Sequence, residues 1–452
     1  KDLKYILNYI IIPKINGSSD SVSKYFNNGN NGNNCNDVLH KIISIVSCQL
    51  EQDIISDKPS LLSKWLPREK SHKFGWQAQY FAYNLNKEWI DTAYNKTKNS
   101  DAYEVVLAKR KCLTKFRQTI STINKKLDTV QIKQCGNKWG EINFEKNVTS
   151  ITMRKQTKAF LYTNKHVTEY NSDYYDRIKC SENYKNYINN VSNSESDVNV
   201  KGKRVSIIDF VKDALLLIDE YNNDMVTDDV NKSLEYERSI LNAQWKDNET
   251  QNTKLENMIA MVDVSGSMQD EDCVPYHSAI GLGIRIAEKS KFGKRVLTFS
   301  SSPSWVNIDD DIAPDFISKV DKISNSEWGQ STNFRKALEL ILLTAINNNI
   351  SPEDMSDMSL VILSDMQIDY PADEDNKPMY DMMKEKYAYA GMHSVYKIPY
   401  ILPHIIFWNL RSTNGFPSLT TTENTSMMSG ASPMLLNEFS TKGISYLKEL
   451  TP

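Results

Sequence analysis

Residues 258–270 read MIAMVDVSGSMQD. Met258 to Val262 are apolar without a break, Asp263 ends the run, and Ser265 and Ser267 follow at alternate positions. A short, continuously apolar run closed by turn residues is the pattern of a strand buried on both faces, as in a parallel sheet. The stretch therefore predicts a core strand that finishes on a carboxylate and two hydroxyls. Outward from it, the C-terminal half alternates strand and helix patterns. Strands are expected at 257–262, 295–300, 305–308, 359–364 and 404–408, the second and third forming a hairpin around Ser301-Ser302-Pro303. Helices are expected at 276–288, 316–323, 333–347, 380–389 and 432–439. In the helix at 333–347, Phe334, Ala337, Leu338, Ile341, Leu342 and Ala345 form one stripe. This rhythm predicts a doubly wound parallel sheet with helices on both faces, and such sheets bind ligands beyond the carboxyl ends of their strands.

The N-terminal half reads as helical throughout, so the fold class is α + α/β. Val38, Ile42, Ile43, Val46 and Leu50 share one face of a helix over 37–57. Further helices are expected at 74–85, 103–127, 153–162 and 206–221. Residues 27–36, NNGNNGNNCN, read as a loop or linker. The expected domains are an N-terminal extension with its Asn/Gly-rich linker over 1–36, a helical module over 37–250 and a sheet domain over 251–452. Charge divides along the same line. Residues 1–250 hold 37 Lys and Arg against 31 Asp and Glu, whereas 251–452 hold 17 against 26. A polyanion would thus meet the front half. Between Lys109 and Lys158 lie 13 basic and 3 acidic residues with aromatic neighbours, a composition suited to phosphate contact and base stacking. The candidate RNA contacts are Lys109, Arg110, Lys111, Lys115, Arg117, Lys125, Lys126, Lys138, Arg154, Lys155 and Lys158. A plain solvated helix face is the competing reading. Trp139 and Phe160 read as core more readily than as stacking platforms.

The six cysteines make no C-x-x-C pair, which argues against structural zinc and a disulfide framework. No apolar run is long enough for a membrane span. A cytoplasmic location is expected, with the nucleus or a virion as alternatives. At the expected ligand-binding edge, two more loops join Asp263, Ser265 and Ser267. One is 328–333, WGQSTN; the other is 363–367, LSDMQ, where an apolar strand ends on Asp365. Two carboxylates and several hydroxyls suit a hard cation such as Mg²⁺, which takes oxygen ligands and uses one or two carboxylates. Alternatively, each Asp only caps a helix. A two-metal hydrolase would want more carboxylates, and no nucleophile–base pair stands out, so no enzyme activity is expected. His277 reads as a surface histidine, with support of the metal edge as the alternative. Met261 and Met366 read as packing.

D-x-S-x-S, then a loop Thr, then an Asp after an apolar strand resembles the metal-ion-dependent adhesion site of von Willebrand factor A domains. Asp263, Ser265, Ser267, Thr332 and Asp365 match it residue by residue. The resemblance implies Mg²⁺ (or Mn²⁺ or Ca²⁺) held directly by Ser265, Ser267 and one carboxylate, with other contacts through water. It also implies one coordination position filled by an acidic side chain of a protein partner. Many such domains have Asp-Gly in the third loop, where this chain has Asp365-Met366. Together with the helical half, the chain resembles proteins that join a TROVE-like helical module to a C-terminal A domain, the Ro-type ribonucleoproteins. WLPRE (65–69), KWGEI (138–142), EWGQSTNF (327–334), SDMQID (364–369) and IIFWNLR (405–411) look more like an uncharacterised branch of plants, fungi, amoebae and large DNA viruses. What the Ro-type resemblance implies is a HEAT-like helical module whose basic surface binds structured or misfolded RNA. The function expected is thus non-enzymatic binding, of RNA and of an acidic partner. A metal-dependent protein-interaction scaffold without nucleic acid is the alternative.

Overall fold

The computed structural model describes residues 33–72, 75–162, 172–192, 200–222, 228–250, 255–269, 271–326, 333–366, 379–411 and 424–430. Contacts divide the chain into two compact units, Lys1–Ile142 and Asn143–Pro452. In the first, α1 (Asn33–Ile55), α2 (Leu62–Trp65), α3 (Gly75–Leu85), α4 (Lys87–Thr97), α5 (Tyr103–Lys126) and α6 (Val130–Cys135) follow one another. Val46 and Leu50 of α1 meet Ala78, Phe81 and Ala82 of α3 and Phe116, Ile120 and Ile123 of α5, with Ile42 and Ile43 packed on the margin. From Ile42 to Leu50 the stripe expected on the first helix is therefore its inner side. Helix α1 begins at Asn33, inside the stretch expected to be a loop; residues 27–32 of that stretch lie outside the described residues. Helix α4 was not expected. None of its residues is buried, and its apolar residues, Trp89, Ile90, Ala93 and Tyr94, are few among polar neighbours, so its period is weak to read.

The second unit opens with α7 (Phe144–Asn147), α8 (Ser150–Leu161), α9 (Ser172–Ser192), α10 (Ile207–Tyr221) and α11 (Asp228–Glu249). Helices α9 and α11 were also missed. The inner face of α9 is built on Cys180, Tyr184, Tyr187 and Ile188, and its tyrosines pack against Phe144 and Phe160 with ring centroids 4.7 and 5.4 Å apart at Tyr184. An aromatic stripe with polar neighbours buries as well as a leucine stripe but is weaker as a pattern.

A six-stranded sheet follows in the order β3-β2-β1-β4-β5-β6. Its strands are β1 (Met258–Val262), β2 (Arg295–Thr298), β3 (Trp305–Asn307), β4 (Ser359–Ser364), β5 (His404–Asn409) and β6 (Thr425–Ser429). All pairings are parallel except β2 with β3, the expected hairpin. Strand β6 was not anticipated, because TSMMS is polar at three of its five positions, neither alternating nor forming an apolar run, and is half-buried at the sheet edge. Along β1, β4 and β5 successive side chains enter opposite cores. Met258, Ala260, Val262, Val361, Leu363, Ile406 and Trp408 face α10, α12 (Val274–Ala287) and α13 (Phe316–Ser324). Ile259, Met261, Leu360, Ile362, Ile405 and Phe407 face α14 (Phe334–Asn347), α15 (Pro352–Ser356) and α16 (Met379–His393). Burying each such aliphatic side chain contributes roughly 1.5–3 kcal/mol. The helix expected at 432–439 lies outside the described residues.

Helices α10 and α11 precede the sheet in sequence yet share its first core, through Ile207, Phe210, Val211, Ala214 and Leu217 of α10 and Leu234, Leu241 and Trp245 of α11. Gly281 of α12 makes the approach of α10 possible: a Cβ there would stand 2.2 Å from Ile207 Cγ2 and 3.0 Å from Val211 Cγ2. Among the described residues no helix is long and apolar enough to cross a membrane, and Cys48, Cys112, Cys135, Cys180 and Cys273 are free thiols.

Candidate functional site

Strands β1 and β4 are neighbours in register, Val262 opposite Leu363. The strand order reverses between them: β2 and β3 lie to one side, β5 and β6 to the other. That is the switch point at which doubly wound sheets form a crevice. Asp263 and Asp365 stand just past the ends of these two strands. Both are buried, 1% and 2% exposed. The Asp263 backbone N–H donates to Leu363 O at 3.0 Å. Its Oδ1 accepts the Ser265 backbone N–H at 2.9 Å and its Oδ2 accepts the Ser364 hydroxyl at 2.6 Å. Ser265 and Ser267, half-exposed on the turn that follows, hold their Oγ atoms 3.1 Å apart. Burial pushes the Asp263 carboxyl up, the Asp365 charge adds to this, and the bonds from Ser364 and Ser265 oppose it. Two carboxylates kept out of water side by side favour a cation between them.

Four of the five expected metal ligands, Asp263, Ser265, Ser267 and Asp365, thus come from one sheet edge; Thr332 lies outside the described residues. Among the described residues no group of three or more His, Cys, Asp and Glu could hold a metal. A donor set rich in hydroxyls suits Mg²⁺ or another hard ion and suits zinc poorly. The residues therefore fit the cation that the adhesion-site resemblance implies. Three neighbours complete this edge, of which Ser364 and Arg411 were not read from sequence as part of it. Ser364 orients Asp263. Arg411, past the end of β5, places Nη1 3.7 Å from Asp365 Oδ2. Met366 adopts φ +66°, the left-handed conformation in which glycine is at ease, and its N–H donates to Ser364 Oγ at 3.1 Å. The turn that an Asp-Gly pair would make is thus made by Asp365-Met366, with Met366 packed against the second core. Met261 is core, as expected. His277 is not on the surface: it is buried in α12, and burial with nearby Lys212 pulls its pKa down.

The basic candidates fall into two groups. In the first unit, Arg110, Lys111, Lys115, Arg117, Lys125 and Lys126 are exposed along α5, and Lys138 is exposed beyond α6. Some are engaged: Arg117 pairs with Glu69 at 3.0 Å, Lys126 donates to the Ile54 and Ser56 carbonyls, Lys138 lies 3.5 Å from Glu141, and Lys111 lies over the Trp89 ring. Lys109 lines a cavity of about 470 Å³ that also presents Lys87, Lys98, Tyr83, Tyr94 and Asp91. None of these five was singled out in the sequence: Lys87, Asp91, Tyr94 and Lys98 belong to α4 and its end, which was not visible as a helix, and Tyr83 belongs to α3. In the second unit, Arg154 is bound by Asp213 and Asp209, and Lys158 by Glu220 at 2.6 Å; Lys155 is exposed. Phe160 is fully buried and Trp139 half-buried, so Phe160 is core.

Residues 257–449 match a domain of unknown function (DUF7788). The uncharacterized protein L728 of Acanthamoeba polyphaga mimivirus is 28% identical over 382 residues, which is 83% of this chain and 57% of that protein. The chain thus spans little more than half the length of this curated relative. Both likenesses fit the uncharacterised branch. The crystal structure of the Ro (RSR) protein of Deinococcus radiodurans aligns over 81% of this chain and 74% of that one, with 12% identity and a TM-score of 0.34.

Proposed function

We propose that the protein is a non-enzymatic binding protein whose sheet edge holds a divalent cation and, through it, an acidic side chain of a protein partner. The observation that carries this reading is the pair of buried carboxylates, Asp263 and Asp365, beside the Ser265 and Ser267 hydroxyls at the switch point of the sheet. Those four residues would hold Mg²⁺, or Mn²⁺ or Ca²⁺ in its place, and the cation would supply positive charge to a carboxylate. Binding of a cation to the folded state raises stability by about 2.7 kcal/mol at a hundredfold excess over Kd. Millimolar Mg²⁺ is therefore expected to raise the unfolding midpoint of the wild type and to leave Asp263→Ala unmoved, scanned against EDTA. No shift with Mg²⁺, Mn²⁺ or Ca²⁺ in the wild type would remove this reading.

The lysine- and tyrosine-lined cavity of the first unit favours a second activity, binding of structured or misfolded RNA. Lys87, Lys98 and Lys109 would meet phosphates, and Tyr83 and Tyr94 offer rings for stacking. Arg154 and Lys158 contribute little here, since carboxylates already neutralise them. Replacing Lys87, Lys98 and Lys109 by Ala is expected to reduce the salt slope of affinity for a hairpin RNA with a single-stranded tail by roughly 2. Unchanged affinity and slope would leave the scaffold reading without nucleic acid. The compartment proposed is the cytoplasm.

A further inference from the structure

The edge that presents Asp263 and Asp365 also presents a positive charge held by the sheet. Strands β4 and β5 end side by side, with Ser364 opposite Asn409. Beyond them the two segments stay joined, since the Leu410 N–H donates to Ser364 O at 3.0 Å. Asn409 has no exposed surface. Its Oδ1 accepts the Arg411 N–H at 3.0 Å, and its backbone O accepts the Gly430 N–H at 2.9 Å, just past β6. The backbone of Arg411 is thus fixed two residues past β5, as Asp365 is fixed one residue past β4. Arg411 closes the IIFWNLR stretch (405–411), and unlike the apolar residues of that stretch it has no core to fill.

The contact of Arg411 with Asp365 is one of charge. Nη1 stands 3.7 Å from Oδ2, longer than a hydrogen bond. The two side chains are unequally buried: Asp365 is 1% exposed and Arg411 20%. The carboxylate is shut off from solvent, whereas the guanidinium reaches it. Metal binding requires ionised carboxylates, and two of them cancel a divalent cation, so Arg411 leaves these groups with an excess positive charge. A like charge a few ångströms away weakens the binding of a cation, and the same charge strengthens the binding of an anion. Arg411 therefore acts with opposite sign on the two ligands. A residue that only braced Asp365 would act with one sign: its loss would loosen the cation and, with it, the partner.

Resting on the cation reading above, we propose that Arg411 is the specificity residue of this edge: it weakens the hold on the divalent cation and strengthens the hold on the partner's acidic side chain. Arginine suits both tasks. Its guanidinium keeps its charge, and its planar fork matches a carboxylate, whereas lysine supplies a point charge without the fork. An amide or hydroxyl of a partner gains nothing from that charge. The edge thus selects aspartate and glutamate over asparagine and glutamine.

The test is calorimetric titration of the full chain with MgCl₂ and then, at saturating Mg²⁺, with a capped Gly-Asp-Gly peptide against capped Gly-Asn-Gly. Arg411→Gln is expected to bind Mg²⁺ about threefold to tenfold more tightly than the wild type, and the Asp peptide about tenfold more weakly. Both differences should shrink between about 20 and about 300 mM KCl, because salt screens a partly exposed charge. Arg411→Lys keeps the charge, so it should hold Mg²⁺ as the wild type does and bind the Asp peptide with an affinity between those of the wild type and Arg411→Gln. Arg411→Met removes the same charge and repeats the test if Arg411→Gln fails to fold. Unchanged or weaker Mg²⁺ binding by the folded neutral variant would overturn the proposal and leave Arg411 a brace for Asp365. Equal binding of the two peptides to the wild type, or no binding of either at about 50 mM, would overturn it too. Absence of binding of Mg²⁺, Mn²⁺ and Ca²⁺ to the wild type would instead remove the cation reading itself, and this proposal with it.

Discussion

Arg285→Ala is expected to lower the unfolding free energy of the second unit by about 3–5 kcal/mol, the range seen when one partner of a buried ion pair is removed. A loss of that size is a large share of the roughly 5–15 kcal/mol that holds a typical domain together. Arg285 lies in α12 with no exposed surface. Its guanidinium rests 3.6 Å from the centroid of the Trp245 ring, and that ring stacks on Phe316 at 4.0 Å. Its donors reach Trp245 O at 3.2 Å, Asn248 Oδ1 at 3.4 Å and Glu288 Oε2 at 3.3 Å. Glu288 in turn accepts from Lys319 at 3.1 Å and from Trp245 Nε1 at 3.2 Å. One charged group thus joins α11, α12 and α13. Burial pulls its pKa down to about 10 against the opposing pull of Glu288 and Glu249, yet it stays charged at neutral pH. Alanine would remove the stacked plane and leave a cavity under Trp245, with the carbonyl and amide left to find other donors. Arg285→Met keeps the aliphatic stem and should cost much less. Urea unfolding of both variants checks this; equal losses would show that the guanidinium, not the packing volume of its stem, matters at this position.

The sheet was legible because its strands are buried on both faces. MIAMV, SLVILS and HIIFWN admit few polar residues, and β4 begins and ends where the sequence placed it. Most of the site was legible for a related reason. A carboxylate at the end of such a strand has little packing role, so Asp263 and Asp365 stand out against their apolar runs. Elements that bury little, or bury polar and aromatic side chains, were not legible. Helix α4 buries none of its residues. Helix α11 holds Ser233, Gln244 and Asn248 among its buried residues. Part of its face works by hydrogen bonding to the 200–206 segment, which interrupts the apolar stripe of Leu234, Leu241 and Trp245. The left-handed turn at Met366 was hidden for another reason. Residue identity argued for a departure there, but the fold accepts the strain, which costs roughly 1–2 kcal/mol for a non-glycine residue.

That same polar face of α11 makes Gly202 the position least tolerant of a side chain. The Gly202 and Lys203 N–H groups donate to Asp247 Oδ2 at 2.7 and 3.1 Å. Gln244 Nε2 binds Lys201 O at 2.9 Å, and Asn248 Nδ2 donates to Val205 O at 3.2 Å. The segment is thereby drawn onto the helix until a Cβ at Gly202 would stand 1.9 Å from Gln244 O, 2.6 Å from Gln244 C and 2.7 Å from Gln244 Cα. All three atoms are backbone, so no rotamer change relieves the clash; the segment must leave the helix and give up these hydrogen bonds. Gly202→Ala is therefore expected to cost about 3 kcal/mol or more, at or beyond the upper end of ordinary overpacking. Gly281→Ala is the informative contrast, since its nearest obstacle is the Ile207 side chain. Ile207→Ala should recover part of the Gly281→Ala loss in a double-mutant cycle, whereas no side-chain truncation on α11 should recover Gly202→Ala. Chemical unfolding of the four variants decides it. A Gly202→Ala loss under about 1 kcal/mol would mean that the segment can lift from α11 without consequence. The close approach would then not be part of what holds the second unit together.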